Sequence, residues 1–137
     1  MADEAVMVQQ LQERLTQVTV ADGTGIEKGT ILKFSSDPNT ASASSADGDL
    51  FAGIAAEEKV ANDGQTELAV WTKGVFAIKV TADTGSAVLG EPVKIDVANT
   101  VTVADDDSVA HSSEVVGIAL ETGAAGETIQ VRVGEFT

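Results

Sequence analysis

The sequence predicts an all-β chain: a small β-barrel or β-tulip-like domain with two similar halves, preceded by an N-terminal arm or short helix. Three observations carry that expectation. From Val18 onward, β-branched residues cluster in short runs bounded by Gly, Asp, Asn and Ser. Apolar and polar positions alternate with period two at Leu68, Val70 and Thr72 against Ala69, Trp71 and Lys73, and again at Ile129, Val131 and Val133 against Thr128, Gln130 and Arg132. The third observation is a weak internal repeat.

In that repeat, Gly29-Thr30-Ile31-Leu32-Lys33-Phe34 matches Gly90-Glu91-Pro92-Val93-Lys94-Ile95, and Gly53-Ile54-Ala55-Ala56-Glu57 matches Gly117-Ile118-Ala119-Leu120-Glu121. The offsets are 61 (29 to 90) and 64 (53 to 117), and Leu68 and Val70 fall on Ile129 and Val131 at 61 again. The halves so defined run over about 26–80 and 87–137, within a single β-domain of 18–137 that follows an arm of 1–17. Between the strands lie turns such as Asn62-Asp63-Gly64 and Ala82-Asp83-Thr84-Gly85, where Gly, Asn or Asp supplies the positive φ of a tight turn. Ser35 to Asp49, rich in Ser, Ala, Asp and Asn, reads as a mobile surface loop, with Asp105 to Ser113 in the equivalent place of the second half.

The N-terminal segment stands outside the repeat. Val8, Leu11, Leu15 and Val18 are spaced i, i+3, i+7 and i+10 among good helix formers, which fits a short helix after Asp3; an extended arm fits equally. An apolar terminal stretch of this kind packs either on its own barrel or on a neighbouring chain.

Composition narrows the function. The chain has 137 residues, 43% of them hydrophobic but only 4% aromatic, so the core is built from Val, Ile, Leu and Ala. With 22 acidic against 8 basic residues the net charge is −14, which removes the electrostatic attraction that non-specific nucleic-acid binding and anionic membranes require. The same acidity suits either a soluble surface or a high-salt habitat. The absence of cysteine excludes disulfides, thiolate-bound metals and thiol nucleophiles. Short apolar runs, and a start at Met1-Ala2-Asp3-Glu4 without a basic region, predict neither a membrane span nor a secretory signal.

Catalytic motifs fail on inspection. His111, the sole histidine, has Ser108 and Ser112 nearby only in sequence, inside a polar stretch with nothing to orient a base. Gly23 to Thr30 imitates a phosphate-binding loop, but Lys28 precedes Gly29 instead of following it, and Glu27 repels an anion. Asp47-Gly48-Asp49 and Asp105-Asp106-Asp107 lack the spacing of a calcium loop. Lys59 and Lys73 do not sit in the tip signature of a lipoyl or biotinyl carrier domain. No residue is therefore assigned a catalytic, cofactor-binding or metal-ligating role.

Gly25-Ile26-Glu27-Lys28-Gly29-Thr30-Ile31-Leu32-Lys33, Asp49-Leu50-Phe51-Ala52-Gly53-Ile54-Ala55, Thr72-Lys73-Gly74-Val75-Phe76 and Val115-Val116-Gly117-Ile118-Ala119-Leu120 carry a resemblance. They resemble the capsid decoration, or cementing, proteins of tailed bacteriophages and related archaeal tailed viruses, from about Val18 to Phe136. The resemblance implies a non-enzymatic virion protein, commonly a homotrimer, on the outside of an HK97-type head at three-fold and quasi-three-fold positions, bridging units of the major capsid protein. It also implies a terminal arm that pairs with capsid strands, which makes Val6, Val8, Leu11 and Leu15 the capsid-contact candidates. Trp71, Phe76 and Phe136 are the bulky candidates for core or trimer packing. Three copies carry 42 formal negative charges (3 × 14), unfavourable against packaged DNA and tolerable in solvent, which places the protein on the capsid exterior. Another virion module (tail tube, neck or adhesion component) and an acidic carrier domain are the alternatives.

Overall fold

The computed structural model describes residues 4–9, 15–104 and 114–134. Among these residues every regular element longer than a turn is a strand. β2 (Thr16–Thr19), β3 (Ile31–Ser36), β4 (Thr40–Ala43), β5 (Phe51–Ala55) and β6 (Glu67–Trp71) close into a barrel in the order β2-β4-β3-β5-β6. β7 (Gly74–Val80), β9 (Pro92–Ile95), β10 (Thr100–Val103), β11 (Val115–Ala119) and β13 (Thr128–Val133) form a second ring, in the order β7-β10-β9-β11-β13, closed by β13 on β7. A ribbon of β8 (Ser86–Ala87) and β12 (Gly123–Ala124) flanks it, and β1 (Val6–Gln9) lies along β7. Closure leaves each ring without a free edge of its own.

The two rings agree in register as well as order. Thr19 faces Thr40 where β2 runs parallel to β4, and Lys79 faces Thr100 where β7 runs parallel to β10. Val18 faces Leu68 as Ile78 faces Ile129. The ladder slips after Leu32↔Gly53 in one barrel and at Val93↔Gly117 in the other. That bulge explains the repeated Gly-Ile-Ala: a Cβ on Gly117 would run into the Arg132 carbonyl, so only glycine lets the strands meet there. Even the bridge between Ile26 and Lys59 recurs as Ala87 on Gly123.

Three sequence expectations are corrected. At the described residues of the N-terminus the helical option gives way to strands β1 and β2, residues 10–14 lying outside the described residues: β10 covers only the far end of one β7 edge, at Lys79 and Val80, and an extended segment can pair with Val75 to Ala77 beside it. Ser35 to Asp49 is no featureless loop: it contains β4, a turn through the cis Asp37–Pro38 bond, and Asp49 Oδ2 accepting the amides of Ser45 and Ala46 at 2.8 and 2.9 Å. Few apolar residues are needed where backbone pairing and a capping carboxylate order the chain. Third, Gly74–Val80, which the repeat boundary of 26–80 left in the first half, is the opening strand of the second barrel.

Inward positions fill both barrels with aliphatic side chains. Val18, Leu32, Leu68 and Val70 are buried in the first, and their equivalents Ile78, Val93, Ile129 and Val131 in the second. Each such burial contributes about 1.5–3 kcal/mol. The second barrel adds a further layer of Phe76, Ile95 and Val133. Against that layer pack Ile31 and Ile54, which alternate with the inward Leu32 and Ala55 and so point out of the first barrel, together with partly buried Trp71 and Phe51. The flank of one barrel thus closes the end of the other.

Candidate interaction surface

The arm is positioned first by its backbone. Ala5 N donates to the Gly29 carbonyl at 2.7 Å, and the chain then runs antiparallel to β7 through Val6↔Ala77 and Met7↔Phe76. Alternation sends Ala5 and Met7 into the shared core and turns Val6 and Val8 outward, 64% and 49% exposed. β1 ends the six-stranded order, so its far edge carries no strand among the described residues. Beside the seat, Glu4 Oε2 is buried without a hydrogen-bond partner.

The barrels are joined by polar contacts as well. Asn99, in the β9–β10 turn at φ 59°, is buried; its Oδ1 accepts the Ile31 amide at 2.9 Å, and its amide donates to Ser44 Oγ at 3.4 Å. Lys94 reaches Asp47 at 2.9 Å. A cleft of about 400 Å³ lies at this junction, lined on one side by Thr30, Ala43 and Ser44 and on the other by Ala98 and Asn99. Its floor includes Lys59, whose fully buried ammonium donates to the carbonyls of Asp22 and Val60 at 2.8 and 3.0 Å and to Asp63 Oδ1 at 3.1 Å. The Gln65 amide, and after it the Lys59 ammonium, hold the Asp63 carboxyl below its ordinary pKa. A lysine so enclosed ties the Asp22 turn to the Lys59–Asp63 loop and presents nothing to a modifying enzyme.

The sequence candidates separate in space. Val6, Val8 and Leu15 are exposed, whereas Phe76 is fully enclosed in the core and Trp71 is half-buried against it. Leu11 and Phe136 lie outside the described residues, as do His111, Ser108, Ser112 and Asp105 to Asp107. No cluster of three metal-ligating side chains occurs among the described residues, and none of their helices is long and apolar enough to cross a membrane. Sequence reasoning missed a second exposed apolar set: Phe34 with Leu50, whose carbonyl accepts the Phe34 amide at 2.9 Å, and Val88 with Leu89 on the turn before β9. The available signal was the repeat itself, which aligns exposed Phe34 with buried Ile95.

The described residues thus form two closed barrels, with a terminal strand that turns Val6 and Val8 outward. The family model for phage cement proteins matches residues 8–134, and the chain belongs to that family of structural virion proteins. Its fold is similar to the head fiber gp8.5 N base of bacteriophage phi29, with TM-score 0.54, 13% identity, and coverage of 88% of this chain and 93% of that one. No curated protein matches the sequence.

Proposed function

We propose that the chain binds the outer surface of an assembled head as a homotrimer at three-fold and quasi-three-fold positions, bridging copies of the major capsid protein and stabilising the DNA-filled shell. The observation that carries this reading is β1, a strand with one edge on β7, its other edge open among the described residues, and Val6 and Val8 facing out. An extended capsid segment adds to such an edge through main-chain hydrogen bonds while apolar pockets receive the alternate side chains. Leu15, also exposed, is the further candidate of the arm, and Leu11 belongs to the same stretch of sequence. With 4% aromatic residues, affinity comes from several arms acting at once more than from single large anchors. The charge of −14 keeps the protein on the solvent side of the shell. The test is to mix purified protein with expanded heads lacking it and to count bound copies. Saturable binding is expected, weakened at least tenfold by Val6→Asp with Val8→Asp; absence of saturation, or an unchanged affinity in the double variant, contradicts the reading.

A further inference from the structure

We infer that copies of this chain dock head to tail by repeating, between chains, the contact that the two barrels make within one chain. The inference rests on the trimer reading above and specifies its interface.

Within the chain, the flank of the first barrel covers the end of the second. Ile31 and Ile54 supply the flank, and Phe76, Ile95 and Val133 supply the end. Strand register gives each residue a counterpart. Phe76 corresponds to Thr16, through Phe76↔Val131 and Thr16↔Val70; Ile95 corresponds to Phe34, through Ile95↔Val101 and Phe34↔Ala41. Val75 then corresponds to Leu15. At the end of the second barrel Ile95 is 0% exposed, whereas its counterpart Phe34 at the end of the first is 43% exposed; on the opposite face of the strand from Phe76 and Thr16, Val75 is 6% and Leu15 45% exposed. Two apolar side chains that are buried in one half thus stand in solvent in the other.

The complementary flank is open too. Ile118 and Pro92 stand where Ile54 and Ile31 stand, and both are half-buried instead of enclosed. The turn before each flank is built alike: Gly29 N donates to Ala55 O and Gly90 N to Ala119 O, both at 2.8 Å. The first turn receives Ala5 on the Gly29 carbonyl, and a Cβ on Gly29 would strike that residue. No described residue lies within 4 Å of the same position on Gly90, and the charged Glu27-Lys28 of the first turn is replaced by exposed Val88 and Leu89.

Each chain therefore carries one unfilled end, at Phe34 and Thr16, and one unfilled flank, at Leu89 and Ile118. These are the two halves of a contact already formed once inside the molecule, so the occupant is a second copy. Charge agrees. Arg132 takes the place of Trp71 and puts an exposed cation on the flank, while exposed Asp37 lines the cleft beside Phe34 and Leu50 on the end. A contact between unlike surfaces propagates, and it closes when the rotation permits; three chains would make a ring of six barrels.

The cysteine-free chain allows a clean test. Phe76 and Lys28 line one small cleft with Ile54 and Trp71, so their counterparts Thr16 and Leu89 face each other across the inferred contact. Mixing the single variants Thr16→Cys and Leu89→Cys under oxidising conditions is expected to give covalent dimers, and the double variant covalent dimers and trimers. Neither single variant alone should cross-link. In light scattering the unmodified chain is expected near 42 kDa, three times 14.0 kDa, and Phe34→Asp or Leu89→Asp at 14 kDa with an unchanged circular dichroism spectrum. Cross-linking by a single variant alone, no cross-linking in the mixture, growth into unlimited polymers, or a monomer at millimolar concentration in high salt would each overturn the inference. Saturable head binding by a chain that stays monomeric would reject this interface while leaving the capsid reading intact.

Discussion

The two barrels share strand order, register and an aliphatic interior, yet they end differently. The second is capped by Phe76, Ile95 and Val133 beneath the flank of the first; the first ends on Thr16, Thr72 and the exposed Phe34. The two halves thus agree in the part of the fold that backbone pairing dictates and differ at their ends. For a binding protein those divergent positions are the informative ones, because an interior can be conserved for packing alone.

The largest expected effect breaks the comparison at the capped end. Phe76→Ala should cost about 3–5 kcal/mol in urea denaturation, since the ring is only 1% exposed and packs in the shared core. Phe34→Ala, measured at a dilution where the chain is monomeric, should cost no more than about 0.5 kcal/mol. Equal losses would mean that the two ends are covered alike. The paired turn residues sharpen the contrast. Asn99→Gly leaves the buried Ile31 amide without its acceptor and should cost about 1–3 kcal/mol, whereas Asn39→Gly removes an exposed bond to the Gln17 carbonyl and should cost about 0.5–1 kcal/mol. Glycine is the replacement because both residues have positive φ.

Gly29→Ala and Gly90→Ala both place a side chain at a φ near +90°, a strain of about 1–2 kcal/mol in each. Only Gly29→Ala also displaces Ala5, so limited proteolysis should release the arm in that variant and leave it protected in Gly90→Ala. The smallest effect concerns acid. Asp63 titrates lower in the folded chain than its ordinary value of 3.8, so its contribution is present above about pH 4 and is lost as pH falls through the folded pKa. Asp63→Asn should flatten the acid limb of a stability profile and leave neutral-pH cooperativity unchanged, as followed by thermal melts from pH 2 to 7. An unaltered acid limb would assign that limb to other carboxylates.

Much of this was legible from residues. The repeat showed itself through Gly29 and Gly90, and through Gly53 and Gly117, because turns and bulges tolerate little else. The alternation at Leu68 and Ile129 marked inward faces that the structure places in the two interiors. Other features left no local trace. β7 follows β6 after only Thr72 and Lys73, and nothing in that spacing tells which ring will accept it. Phe34 and Ile95 are equally apolar, and their different burial depends on which barrel has a neighbour at that end. The Asn99 bond to Ile31 spans 68 residues and depends on how one turn meets the other barrel. Period-3.6 spacing at Val8, Leu11 and Leu15 fits a helix, but over Val6 to Gln9 an open stretch of β7 edge outweighed a short and costly helix nucleus.

The most direct measurement is an electron cryo-microscopy reconstruction of heads incubated with the purified chain. The account predicts density on the outer shell at three-fold and quasi-three-fold positions, three chains and six barrels at each, with β1 against a capsid strand. Density inside the shell, on the tail, or held to the capsid by a surface without β1 would contradict it.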